Sequence, residues 1–542
     1  MENNGSIGDM FFRREDKRDK GRVFVPICRG RTESEIMGDF SLPEYMPEIR
    51  KLLKIFARVS PPAKYLSANS VKLSGEVSYT ALYVGGDGRL HSYIFTDGYE
   101  MGAAFSPDAE YDINGSISLC ASVTPDSLTG RVTGARKMNV KCRLCADVSA
   151  YGSSLVFSEG GVPSDTHIQR LVKSSECIAC LFGENRDVEV VDEFVLEDQS
   201  ESYVSTDCRV FIESVSTFDG YAECSGSVNL RHLVAKANGE VYSIPHKVSF
   251  SEVVEVNELS ASASATAYGE CTEVIFSAEL MPEREGAQEV SVRARLCLNA
   301  RGYEKSSVEY VKDCFSTERE CQNEMQSVEL SKLYAAANKN MTVSESVDVA
   351  ELGVLNESAD ITVVESYCDP TVEGVELGDS GKYVINGKCR FDIIYSQKDA
   401  NADEMNEDAM PEYYMGELVL PFRYECSEGG YLPERSFIKA EAISPKARIN
   451  GSRIDLGCEL AIAYEIGGSE VISAVGACRL GEAYNKVPCG FTVCYPDESD
   501  SLWSISKKYR KTVASTAMKN NIDDQTDADL SKTLDGIRYM IV

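Results

Sequence analysis

From Val71 to Tyr83 polar and apolar residues alternate, with Val71, Leu73, Gly75, Val77, Tyr79, Ala81 and Tyr83 on one face. That period predicts a half-buried strand. Gly85-Gly86-Asp87-Gly88 follows as hairpin-turn chemistry, and Leu90-His91-Ser92-Tyr93-Ile94-Phe95 begins a return strand. The pattern recurs around Gly226, with Ala222, Cys224, Val228, Leu230, His232 and Val234. It recurs again around Gly387, with Tyr383, Ile385, Cys389, Phe391, Ile393 and Tyr395. A second strand pattern begins 65, 66 and 67 residues after the three glycines, at Val140, Val292 and Ile454. Three such pairs predict a repeat of about 150–160 residues. The glycine in each strand should mark a bulge or a close backbone approach.

The stretches between these strands are more polar. Thr166–Leu181 and Thr317–Ala337 are expected to be connecting helices. Lead-in strands follow them, with Val190, Phe194 and Leu196 in one case and Val343, Val347 and Val349 in the other. The prolines of Leu42-Pro43-Glu44-Tyr45-Met46-Pro47-Glu48-Ile49 exclude a long helix and predict an extended lead-in. Residues 398–412 form an acidic insertion, expected to be a solvated loop. The resulting layout is a polar arm at 1–30, β repeats at 31–165, 166–316 and 317–487, and a separate domain at 488–542. The fold class is mainly β, with sandwich-like or barrel-like repeats joined by short helices.

Near the C-terminus the period changes. Phe491-Thr492-Val493 alternates as a short strand, and Pro496-Asp497-Glu498-Ser499-Asp500 is a turn. Asp500 stands where an N-cap carboxylate would accept the first helical amides. Leu502, Ile505, Ser506 and Tyr509 then recur at helical spacing, with Lys507, Lys508, Arg510 and Lys511 off that stripe. Thr512 can cap a second helix carrying Val513, Ala517 and Met518, which Asn520-Asn521 can end. Gly536 turns into a closing strand, Arg538 to Val542. This βααβ order, the opening Asp500-Ser501-Leu502-Trp503-Ser504-Ile505 and the turn Asn520-Asn521-Ile522 resemble a LysM domain.

Composition narrows the function. The chain has 542 residues and is 43% hydrophobic, enough for several cores. Its net charge of −31 argues against nucleic-acid phosphate as a ligand. No apolar run reaches the length of a membrane span, and the charged stretch Arg13–Lys20 has no apolar region of a secretory signal behind it. A cytoplasmic location is therefore expected, with the 19 cysteines as reduced, buried thiols. Cys142-Cys145 and Cys177-Cys180 have zinc-like spacing, but no histidine supports them. His91, His167, His232 and His246 are scattered without metal spacing, and no Walker-type loop occurs. No catalytic residues, metal site or cofactor are expected, so the chain should not be an enzyme.

The Leu42–Ile49 lead-in, the glycine-centred strands and the Val140-x-Cys142-x-Leu144 strand, followed by the LysM-like module, resemble the spore coat structural (SPOCS) family. That resemblance implies a scaffold in the mother-cell cytoplasm at the forespore surface. It would attach coat through a LysM domain that docks a SpoIVA-like coat-basement ATPase, alongside other coat proteins. The residues expected to form the docking surface are Asp500, Leu502, Trp503, Lys507, Lys508, Arg510, Asn520 and Asn521. Trp503, the only tryptophan, lies off the apolar stripe and either anchors the partner or completes the small core. The basic cluster suits an acidic partner or is a solvated helix face. The alternative is a glycan-binding protein of the cell or spore wall, using the LysM domain on peptidoglycan. Ser499 stands where that family places glycine before the aspartate, which weighs against glycan binding.

Overall fold

The computed structural model describes residues 22–542 apart from 68, 106–116, 156–161, 164–166, 197–200, 237, 257–258, 285–286, 354–359, 399–410, 486–491, 523–533 and 535–536. Among the described residues the chain is mainly β, and its two α-helices both lie after residue 500. No described helix is long and apolar enough to cross a membrane.

The chain first runs through β1 (Arg22–Ser41), β2 (Ile49–Val59), β3 (Ala63–Ser67), β4 (Ser70–Gly85), β5 (Leu90–Ala104), β6 (Ile117–Gly134) and β7 (Lys137–Leu155). β4 lies between β5 and the successive strands β2 and β3, while β7 lies between β1 and β6. The inner faces of the two sheets share one core, in which Leu73, Val77, Tyr79 and Tyr83 of β4 join Met138, Val140, Cys142 and Leu144 of β7.

Next come β8 (Ile168–Leu196), β9 (Ser202–Phe218), β10 (Tyr221–Ala235), β11 (Val241–Glu255), β12 (Ser264–Leu280) and β13 (Gln288–Ser316). They form sheets of order β11-β10-β9 and β12-β13-β8. After them β14 (Arg319–Asp348), β15 (Asp360–Leu377), β16 (Lys382–Lys398), β17 (Glu412–Gly429), β18 (Arg435–Asn450) and β19 (Arg453–Ala483) form β15-β16-β17 and β14-β19-β18. Each pair of sheets again encloses its own core. The chain ends with β20 (Val493–Cys494), α1 (Leu502–Tyr509), α2 (Val513–Lys519) and β21 (Met540–Ile541), where β20 pairs antiparallel with β21.

The glycine-centred patterns are the middle strands β4, β10 and β16. Opposite each glycine in register stands an aromatic residue of the next strand: Tyr99 for Gly75, Phe250 for Gly226 and Phe422 for Gly387. A Cβ on Gly75 would lie 2.7 Å from the Tyr99 hydroxyl oxygen, and one on Gly226 would overlap the Phe211 carbonyl oxygen. The opposite edge is irregular at the same place. β4 changes partner from β3 to β2 beside Gly75, and the pairing of β10 with β9 shifts at Ser225/Gly226. The pairing of β16 with β15 shifts between Val372 and Gly374, opposite Gly387.

Three expectations are corrected. The connecting helices do not form: from Ile168 the first segment lies in β8, and from Arg319 the second lies in β14. Both are edge strands whose polar residues face water, and their partners, β13 and β19, lie far along the chain. Pairing with a distant strand outweighs the local preference for helix. The polar arm is shorter than expected, because Arg22–Gly30 already pairs with β7. Leu42–Ile49 is a turn rather than an extended lead-in. It wraps Arg136, whose guanidinium donates to the carbonyls of Pro43 (3.0 Å) and Met46. Of the acidic insertion, residues 399–410 lie outside the described residues, as do Phe491 and Gly536.

Candidate functional site

The C-terminal module is organised by α1. Ser501, not Asp500, is the N-cap; its hydroxyl accepts from the Ser504 amide while the Ser504 hydroxyl accepts from the Ser501 amide, a reciprocal capping box. Asp500 instead accepts from the Asp497 amide (3.0 Å) and the Ser504 hydroxyl (3.0 Å), which ties the preceding turn to the helix. Thr512 caps α2. Asn520 clamps the closing strand: its carboxamide donates to the Thr516 and Ile541 carbonyls and accepts from the Ile541 amide at 2.7 Å. Asn521 follows in the left-handed region, at φ 55°. Leu502 and Ile505 pack with Val513, Ala517, Met540 and Val542 inside the module.

A neighbouring stripe of α1 faces the rest of the chain. Trp503 is 5% exposed and packs on Leu171 of β8 and Phe315 of β13, with its ring edge-on to Phe315 at 5.0 Å. Its indole Nε1 donates to Asp313 at 2.9 Å. One turn on, Lys507 pairs with the same carboxylate at 2.6 Å. Arg510 stacks its guanidinium 3.4 Å over the Tyr484 ring, and Gln169 accepts from the Val513 amide. Of the two readings of Trp503, partner anchor or part of the small core, its burial fits the second, with that core extended onto β8 and β13. Trp503 and Lys507 sit on the chain's own strands, because residues four apart share one helix face and that face meets β8 and β13, while Arg510, the C-cap of α1, lies over Tyr484 just past β19. Lys507 and Arg510 stay exposed despite these contacts, as does Lys508.

The module also exposes apolar side chains around its short strands and on α2. Cys494 and Met540 point into the module core, so their strand neighbours point out. Tyr495 is 77% exposed, Tyr539 61%, and Val493 stands beside them. Met518 of α2 is 80% exposed. The alternation Val493, Cys494, Tyr495 carried this outward face in the sequence, but two-residue strands are too short for periodicity to single it out.

A second polar region lies where the three groups of sheets converge on a cavity of about 1160 Å³. Arg209 of β9 reaches Asp207 (3.2 Å), Asp369 of β15 (3.1 Å) and Glu441 of β18 (2.9 Å). Lys54 of β2 pairs with Asp392 of β16, and Arg390 reaches Asp369 at 3.0 Å. Burial pushes the Lys54 ammonium down to about 8. Burial pushes the Asp369 carboxyl up, but Arg209, Lys54 and Arg390 outweigh it and hold the group at about 2. The charges compensate one another across five strands, which makes this region a joint between sheets.

Clusters of potential metal ligands also form, none visible as a motif. His232 and His246, on adjacent strands, both bond Asp192 of β8, at 2.9 and 2.5 Å. Thr206 contacts the other nitrogen of His232 at 2.7 Å, and burial pushes that imidazole down while Asp192 opposes it. Cys368, Cys389 and Cys458 converge in the core of the third pair of sheets, and Cys314, Cys321 and Cys478 near the module. Of the cysteines whose side chains are described, all but Cys271 and Cys321 are buried. The pair with zinc-like spacing that is fully described, Cys142 and Cys145, is three apart on one strand and so faces opposite sides.

Neither a known family model nor a curated protein matches this chain at a significant level.

Proposed function

We propose that the protein is a non-enzymatic scaffold of the spore coat, similar in layout to the morphogenetic protein SipL. In this reading three SPOCS-like repeats, at 31–165, 166–316 and 317–487, carry a LysM-like module at 488–542. The module docks a SpoIVA-like coat-basement ATPase in the mother-cell cytoplasm and so helps attach coat to the forespore. The observation that supports it best is the strand circuit. In each group of sheets the first strand pairs with the last, and a middle strand carries a glycine covered by an aromatic residue. The short β20-α1-α2-β21 unit follows these circuits.

Docking by this module uses the exposed Tyr495, Tyr539 and Met518 together with the exposed Lys508, since the chain itself buries Trp503 and engages Lys507 and Arg510 with Asp313 and Tyr484. Exposed aromatic rings of this kind are common interface anchors. They also favour the second reading, because sugar rings stack on tyrosine, and peptidoglycan is then the ligand.

The test is a pull-down with the full chain and its Tyr495→Ala/Tyr539→Ala variant, against purified coat-basement ATPase and, separately, purified peptidoglycan. Capture of the ATPase by the parent chain, weakened at least about tenfold in the variant, is expected. Binding to peptidoglycan alone would replace the scaffold reading with the glycan one.

A further inference from the structure

Cys314 of β13, Cys321 of β14 and Cys478 of β19 bring their sulfurs within 4.8 Å of one another. They belong to separate strands. β13 pairs with β8, whereas β14 and β19 pair with each other, so the thiols bridge two ribbons that share no backbone pairing. Cys314 and Cys478 are buried among Val162, Ile168, Val475 and Leu480, and Cys321 is partly open to solvent. A fourth donor faces the same point. The Asn323 carboxamide oxygen lies 3.1 Å from the Cys314 sulfur and 3.6 Å from that of Cys321. Its orientation is fixed, because the amide nitrogen donates to Asp313 (3.1 Å) and to the Cys314 carbonyl (2.8 Å).

From this geometry we propose that Cys314, Cys321 and Cys478 bind one zinc ion, with the Asn323 oxygen or a water as the fourth ligand. Three thiolates about 2.3 Å from a tetrahedral zinc lie less than about 4 Å apart, so a small inward rotation of the side chains closes the site. Zinc displaces the thiol protons, needs no redox partner and enters past the open Cys321. The hard cations calcium and magnesium do not suit sulfur ligands. The site has a structural consequence. Asn323 touches both the thiols and Asp313, the carboxylate that holds Trp503 and Lys507. The metal would therefore lock the two ribbons together directly under the seat of the C-terminal module. The proposal does not depend on what that module binds.

The test uses the full chain, purified under reducing conditions, stripped with chelator and titrated with cobalt(II) as a spectroscopic stand-in for zinc. Near-ultraviolet thiolate-to-cobalt charge-transfer bands and the visible bands of tetrahedral cobalt are expected, saturating at one ion per chain and displaced by zinc. Cys321→Ser and Cys478→Ser should abolish those bands. Cys389→Ser and His246→Ala, which alter the other two clusters, should leave them unchanged. On the parent chain zinc should also protect Cys321 from alkylation, read by peptide mass spectrometry, which requires no variant to fold. Lack of thiolate bands in the parent chain, their survival in Cys321→Ser, or alkylation of Cys321 unchanged by zinc would each overturn the proposal.

Discussion

The sheets and the C-terminal module are held in opposite ways. In the sheets, strands of up to 31 residues pair over long registers, and each pair of sheets encloses a core of its own. In the module two strands of two residues each close around helices of eight and seven. Helices that short are marginal alone, and so is a two-stranded ribbon. The module gains order by laying Trp503 on Phe315 and Leu171 and by sharing Asp313 between Trp503 and Lys507. The body is stable through its own pairing, whereas the module depends on the body.

The largest disturbance should come from Gly226→Val. The new side chain would meet the Phe211 carbonyl and the Phe250 ring at the middle of β10. We expect a loss of at least about 3 kcal/mol, seen as a lower urea midpoint for the β signal in circular dichroism. An unchanged midpoint would mean that the backbone absorbs the overlap. Next is Trp503→Ala, which should cost about 3 kcal/mol, but only locally. Hydrogen exchange should rise across 492–522 while β4, β10 and β16 keep their protection. If the middle strands lost protection as well, module and body would be one cooperative unit.

Acid should act on the body in two separate windows. Burial holds the His232 imidazole below its ordinary value. The folded state then resists a proton that the unfolded chain accepts, and stability falls as pH drops below about 6.5. Asp369, held at about 2, contributes stability that is intact above the ordinary carboxylate value of about 4 and fades toward pH 2. Thermal melts from pH 8 to 3 should show the first slope reduced in His232→Gln and the second reduced in Asp369→Asn. Slopes identical to the parent's would assign the acid response to other groups. The smallest effect is expected from Ser501→Ala, about 1 kcal/mol through the lost cap, again confined to exchange within α1.

Much of the strand framework was legible in the sequence. The alternation in β4, β10 and β16 names their buried faces, Gly85–Gly88 marks a hairpin, and each of the three glycines does sit tight against a neighbouring strand. In the module, Thr512 and Asn520 bound α2 as expected. The errors share a cause. Ile168–Leu181 and Arg319–Ala337 look helical because an edge strand spends its polar residues on water, and nothing nearby in sequence reveals the distant strand that pairs with it. Helical periodicity leaves Trp503 open between interface and core, because it describes one helix face and cannot say that a second face meets β13.

What the sequence alone determined is local: which segments alternate, which turn, and where the short helices begin and end. Those properties follow from side-chain periodicity and capping chemistry within a few residues. The tertiary structure alone decided which groups meet. It brought Asp192 to His232 and His246, gathered Cys314, Cys321 and Cys478 from three strands, and turned Trp503 toward Asp313. Apart from Cys314 and Cys321, which flank one turn, these contacts join positions tens to hundreds of residues apart, and only the pairing of long strands sets those positions side by side.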